Sequence, residues 1–264
     1  GLSKLVNSLS WGTKIVPPVA IDPNRTILRI NLSDYLWTPD TWDLVLARNP
    51  YGVTLDSFST AAARYCFSAT RTQQPHVRAD WFVARASVPP LYHEILDLPD
   101  TDIELEERLE IDVAENIEQG QVARAGFNNS GVSQNNRLIE RHAVTLTGGA
   151  YWKSYDFASN KGRKAIFAHP LGPQGEQAFE HDGGEIIFSL PNGLQAYLLV
   201  DADGKRIDKG PTQIVRDPKR PDSAVVNGLS CMTCHVRGMI VKDDQVRQAV
   251  LANPDAYSPG EIAA

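Results

Sequence analysis

The chain has three cysteines in 264 residues, and two of them stand in Cys231-Met232-Thr233-Cys234-His235. Two thiols three positions apart at the start of a helical turn project from one side, and a histidine follows at once. Three chemistries use such a group. The thiols can form thioethers with the two vinyl groups on one porphyrin edge, with the histidine then under the iron. They can cycle as a redox dithiol, which favours Cys-x-x-Cys after a strand in an α/β pattern. They can begin a zinc site, which needs two further soft ligands. Here the motif follows Asn227-Gly228-Leu229-Ser230 and a β-rich stretch, and only Cys66 and the histidines remain as zinc ligands, so haem attachment is the leading reading. A chance match has an expectation of roughly one in a thousand at this composition. Cys66, within Ala63-Arg64-Tyr65-Cys66-Phe67, reads as a buried free thiol.

The five residues resemble the attachment site of c-type cytochromes. The resemblance implies one haem c bound covalently by Cys231 and Cys234, with His235 as proximal iron ligand. It also implies attachment outside the cytoplasm, in the periplasm or a similar compartment. The start at Gly1 without methionine agrees, as a processed or trimmed form. Small cytochrome c domains carry this motif near their start and supply a methionine to the other haem face many residues later. In this chain 29 residues follow His235, and the only methionine among them is Met239. Four positions on, Met239 shares the proximal side if the segment is helical. Unless the chain is cut short after Ala264, a larger body is expected to house the cofactor, a layout that resembles the β-rich cytochrome P460 group in general arrangement.

The sixth ligand decides the activity. A filled position suits single-electron transfer with a redox partner protein, whereas an open one suits peroxidase chemistry or P460-like oxidation of a small nitrogen compound. The upstream histidines are His76, His93, His142, His169 and His181. His169, in Ile166-Phe167-Ala168-His169-Pro170-Leu171, has the apolar flanks of a cavity wall and is the first candidate distal ligand. His181, flanked by Glu180 and Asp182, is the second. His142, next to Arg141 and near Arg137, is a candidate distal acid/base pair with Arg141 at an open iron, against a charged helix face as the plainer reading. Arg124, Tyr151, Trp152 and Tyr155 are residues that can meet propionates or the porphyrin face, or serve as ordinary sheet and core residues.

Composition sets the frame for these groups. With 42% hydrophobic and 22% charged residues the chain reads as a soluble globular protein, and no apolar run is long enough to span a membrane. Net charge is −6, and residues 101–119 hold eight acids against Arg108 alone, more than the whole excess. No broad nucleic-acid footprint is expected, and the acidic segment reads as a solvated helix face that can also dock the chain into a larger assembly.

The elements expected around the motif form a single α+β domain over 1–264, an antiparallel meander flanked by helices. It divides into an N-terminal lobe 1–120 and a haem-binding lobe 121–264. Ile27 to Ile30 reads as a strand fed by the Asp22-Pro23-Asn24 turn. Thr38 caps a helix with Pro39 at its first position, stopped at Asn49-Pro50. Arg78 to Ala86 reads as a strand whose alternation Phe82 breaks. A short helix runs from Pro89-Pro90 through Leu98. Thr101-x-x-Glu104 is a capping box opening one acidic helix that carries Leu105, Leu109, Val113 and Ile117 and ends at Gly120. Gly126 to Asn136 reads as a long irregular loop. Tyr151 to Phe157 is a strand, and Pro191-Asn192-Gly193 joins Glu185–Leu190 to Gln195–Val200 as a hairpin. Asp201-Ala202-Asp203-Gly204 reads as a β-turn rather than a calcium loop. Ser258-Pro259-Gly260-Glu261 starts a last helix.

Overall fold

Ten helices and nine strands succeed one another in the computed structural model, which describes residues 1–51, 61–70 and 77–263. Their order is α1 (Leu2–Ser8), β1 (Val19–Ala20), β2 (Leu28–Arg29), α2 (Pro39–Arg48), α3 (Ala61–Thr70), α4 (Ala79–Ala86) and α5 (Leu91–Ile95). There follow α6 (Asp102–Arg108), α7 (Val113–Glu118), β3 (Ala123–Asn128), β4 (Asn136–Val144), β5 (Gly149–Asp156), β6 (Gly183–Ser189) and β7 (Gln195–Asp201). Last come β8 (Lys209–Gly210), β9 (Val225–Val226), α8 (Leu229–Cys234), α9 (Gln245–Ala252) and α10 (Pro259–Ala263). The class is α+β with a five-stranded antiparallel meander, as composition and turn signals imply. Among the described residues no helix is long and apolar enough to cross a membrane.

The chain divides into two compact units. One is Gly1–Asp97 with Leu190–Leu194, the other Leu98–Ser189 with Gln195–Ala264. The acidic segment 101–119 thus belongs with the sheet, not with a lobe ending at 120. Two inward acids explain this: Lys153 Nζ of β5 lies 2.8 Å from both Asp102 Oδ2 and Glu106 Oε1 of α6.

In the first unit α2 starts as expected, with Thr38 accepting from the Thr41 backbone N–H and Pro39 in the first turn. β2 is only two residues long and both are exposed, so the Ile27–Ile30 strand is shorter than its sequence suggests. The segment 79–86 is α4, not a strand. Phe82 and Ala86, four apart, are its buried residues, so the residue that breaks the alternation is the one that shows the helical period. His93 sits in α5 of this unit. The side chain of Cys66 and all of His76 lie outside the described residues.

In the second unit the acidic helix is two helices. Thr101 and Glu104 make the capping box of α6, but Glu110 takes a left-handed φ of 56°, and Asp112 accepts from the Glu115 N–H to cap α7 afresh. Leu105 and Leu109 are fully buried, as the apolar stripe requires. The sheet order is β3-β4-β5-β6-β7, each pair antiparallel. The irregular loop expected over 126–136 shrinks to residues 129–135, because Gly126, Phe127 and Asn128 are paired in β3. Gly126 has a packing role: a Cβ there would lie 2.5 Å from Val246 Cγ2, so its absence lets α9 lie on β3. The β6–β7 hairpin and the turn at Asp201, whose Oδ1 accepts from the Asp203 and Lys205 N–H groups, are as read from sequence.

Candidate functional site

The two faces of the sheet have different chemistry, because successive side chains alternate across it. Arg137 and Ile139 of β4, Trp152, Ser154 and Asp156 of β5, Glu185 and Ile187 of β6, and Leu199 of β7 share one face, with Arg137 opposite Asp156 and Trp152 opposite Ile187. All of them line one cavity of about 240 Å³ that opens to solvent. Ligand clefts run to about 300–1,000 Å³, so this enclosed space is small for a large cofactor, which would have to extend into the open mouth. The far wall is α8 and the turn after it, which bring Cys231, Cys234, His235 and Met239 to the same cavity.

α8 is set by its surroundings more than by its own length. Gly228 precedes it at φ 79°, a backbone state open to glycine. The Ser230 hydroxyl donates to Asp217 Oδ2 at 2.6 Å and accepts the Val226 N–H at 3.1 Å, tying the first turn to β9 and to the loop before it. Cys231 is 2% exposed and packs with Ile187 and Tyr197, with Trp152, Met232 and Met239 around them. Cys234 is half-buried.

His235 leaves the helix as its C-cap. Its Nδ1 lies 3.2 Å from the Gly238 carbonyl oxygen. A carbonyl only accepts, so Nδ1 carries a proton, and in the neutral imidazole Nε2 keeps its lone pair. The Tyr197 ring stands 6.1 Å from the imidazole.

Burial, with the Glu185 carboxylate adding to it, pushes the Cys231 thiol well up from its ordinary range. Burial also raises Cys234, with Asp217 contributing. Both shifts favour the thiol over the nucleophilic thiolate that a redox dithiol uses. Among the described residues no three His, Cys, Asp or Glu side chains are grouped to hold a metal ion, which leaves a zinc site without its ligand set. A haem fits the residues present: two free thiols, an imidazole with a prepared nitrogen, and an apolar wall facing both.

The floor of the cavity holds a buried charge cluster. Arg137 Nε and Nη2 lie 2.5 and 2.9 Å from the two oxygens of Asp156, and Nη1 lies 3.4 Å from Glu185 Oε2. Burial lifts the Asp156 carboxyl above its ordinary range even against this guanidinium. Sequence reasoning had no means to find this cluster, since Arg137, Asp156 and Glu185 meet only through strand register.

The candidate distal residues lie elsewhere. His142 is in β4, not on a helix, and its alternation points it to the opposite face, fully buried. Its Nδ1 is 3.2 Å from Asn116 Nδ2 and its Nε2 is 3.7 Å from Glu140 Oε2. Arg141 does share the cavity face, but it is exposed and its guanidinium lies over Trp152 at 5.6 Å, outside the lining. His181 stacks edge-on to Tyr155 and Phe179, and His169 follows Ile166 in the turn near Glu261. Neither lines the cavity, so His169 and His181 are not brought to the motif. Tyr151, Tyr155 and Arg124 also belong to the opposite side, where Tyr155 and Arg124 meet Glu140 and Tyr151 donates to Glu106. Of the four residues considered for porphyrin contact, only Trp152 lines the cavity. Met239 lines it too: α8 ends at Cys234 and Gly238 turns the chain at φ 91°, so the helical spacing assumed for Met239 does not hold.

No protein-family model, no curated protein and no solved structure matches this chain.

Proposed function

We propose that this chain carries one haem c, joined to Cys231 and Cys234 and ligated by His235, and that it passes single electrons to and from a protein partner outside the cytoplasm. The observation that carries the reading is the His235 to Gly238 hydrogen bond, which leaves Nε2 as the imidazole's free nitrogen while His235 and the two free cysteines line one cavity. A bound haem supplies a one-electron iron couple. The protein's own part is to orient the imidazole from Gly238, to hold the porphyrin edge at α8, and to keep water from the metal with Ile187, Trp152 and Tyr197.

A second reading has one observation in its favour. No histidine other than His235 lines the cavity among the described residues. Unless Met239, which also lines the cavity, fills it, the iron's second face would be open and would suit peroxidase chemistry or oxidation of a small nitrogen compound.

One preparation separates the outcomes. The haem is expected to stay with the protein through acid–acetone extraction, and Cys231→Ala or Cys234→Ala weakens that retention. Complete extraction from the wild type rejects covalent attachment. Ferric and ferrous spectra with carbon monoxide or peroxide then divide the two readings: low-spin spectra that resist ligand support electron transfer, and rapid ligand binding to a high-spin iron supports the open site.

A further inference from the structure

The acidic segment is where composition places a docking surface, yet part of its charge is turned inward. Asp102 and Glu106 meet Lys153, and the Glu104 carboxylate accepts the Asp100 and Thr101 N–H groups. The turn after His235 has the opposite character. Val236, Ile240 and Val241 are 59, 54 and 92% exposed, three large apolar side chains in one short segment. Arg237 and Lys242 are exposed among them, and exposed Lys219 lines the same cavity as Ile240 and Lys242.

These three cations form no ion pair among the described residues, and Lys242 gives a hydrogen bond only to the Asn129 carbonyl oxygen at 3.2 Å. The acids nearby are few or occupied. Asp243 is exposed, Asp217 is buried under Ser230, Asp244 caps α9, and Asp222 pairs with Arg220 and Lys209.

We infer that the apolar turn Val236–Val241, with its rim of Lys219, Arg237 and Lys242, is the docking face for an acidic single-electron carrier protein. The inference rests on the haem reading above and names its partner class. Exposed apolar side chains gathered at one place and rimmed by polar charge match the anatomy of a transient interface. The partner's sign follows from the rim and not from the chain's net charge of −6, because the Debye length of about 8–10 Å at working salt confines the field to nearby groups. Complementary charge at the rim steers encounter and sets its rate.

Two probes test it on the intact protein. Hexacyanochromate(III), a paramagnetic trianion, is expected to broaden the backbone amides of residues 236–242 and 219 first. Broadening that favours other parts of the surface overturns the docking face, and this map needs no bound haem. A small, reduced, acidic [2Fe–2S] ferredoxin serves as protein probe by stopped flow. Its rate of haem reduction is expected to fall as salt rises, and Lys219→Ala with Arg237→Ala and Lys242→Ala lowers the low-salt rate about tenfold. Val236→Ser with Val241→Ser weakens the saturation of that rate while leaving its salt slope. A wild-type rate that rises with salt, as net −6 alone demands, or a triple variant that matches the wild type, overturns the inference. Loss of the covalent-haem spectrum instead strikes the haem reading, with the relaxation map still deciding the docking face.

Discussion

His235 and Gly238 close a ring on themselves: the Gly238 N–H donates to the His235 carbonyl at 3.0 Å, and the Gly238 carbonyl accepts from His235 Nδ1 at 3.2 Å. The imidazole is thereby oriented by backbone three residues away. Gly238 makes this possible at φ 91°, and a Cβ on it would meet nothing within 4 Å. Gly238→Ala therefore meets only conformational cost, about 1 kcal/mol, and loosens the imidazole. Urea denaturation measures the first effect and the ferric ligand-field spectrum the second. Equal stability in both proteins rejects the strain argument.

Ser230 is a second anchor of the motif. Its hydroxyl both donates and accepts in a buried setting, so Ser230→Ala strands the Val226 N–H and Asp217 Oδ2. Alanine is the better helix former, but about 1–3 kcal/mol is lost from the unpaired groups, and that term wins. A lower urea midpoint and faster hydrogen exchange at the Val226 amide are expected. An unchanged midpoint means that another partner takes over.

Arg137 stands between two carboxylates on the cavity floor. Arg137→Met leaves buried Asp156 and half-buried Glu185 without their cation, and stability falls by about 3–5 kcal/mol. Arg137→Met with Asp156→Leu removes one of those charges as well, so the double variant is more stable than the single. Thermal unfolding of both decides it, and a double variant no better than the single shows that lost packing, not stranded charge, sets the cost.

His181 gives the protein a pH dependence of known sign. Burial holds its pKa below the ordinary value near 6.5, outweighing the Gly183 backbone contact. Below about pH 6.5 the unfolded chain takes up a proton that folded His181 refuses, so stability falls as pH drops through that window, by at most about 1.4 kcal/mol per unit. The loss levels off below the folded value, and above pH 6.5 the group contributes nothing. His181→Phe retains the edge contacts to Tyr155 and Phe179 and is expected to lose less stability than the wild type between pH 7.5 and pH 5.5 in urea titrations. Parallel pH profiles count against His181 as the source.

Short-range chemistry was legible in the sequence because its partners are neighbours in the chain. The caps at Thr38 and Thr101, the hairpin at Pro191-Asn192-Gly193 and the thiol–thiol–imidazole spacing at Cys231, Cys234 and His235 all need only a few residues to act. The α+β class followed from the same local signals. Segments whose state depends on a distant surface were not legible. Phe82 is buried by packing that overrides the alternation around it, Gly126 is paired in β3 where its missing Cβ leaves room for α9, and Glu110 breaks the acidic helix at a left-handed turn. The largest difference concerns faces. His142, His169 and His181 carry the chemistry of an iron ligand, but only strand register and packing decide which side of a sheet a residue meets. Register sent Arg137, Trp152, Asp156 and Glu185 to the cavity beneath Cys231 and left His142 on the other side. The sequence by itself determined the spacing of two thiols and an imidazole. The tertiary structure decided what surrounds them, since a one-residue step along a strand reverses the face and no local signal records it.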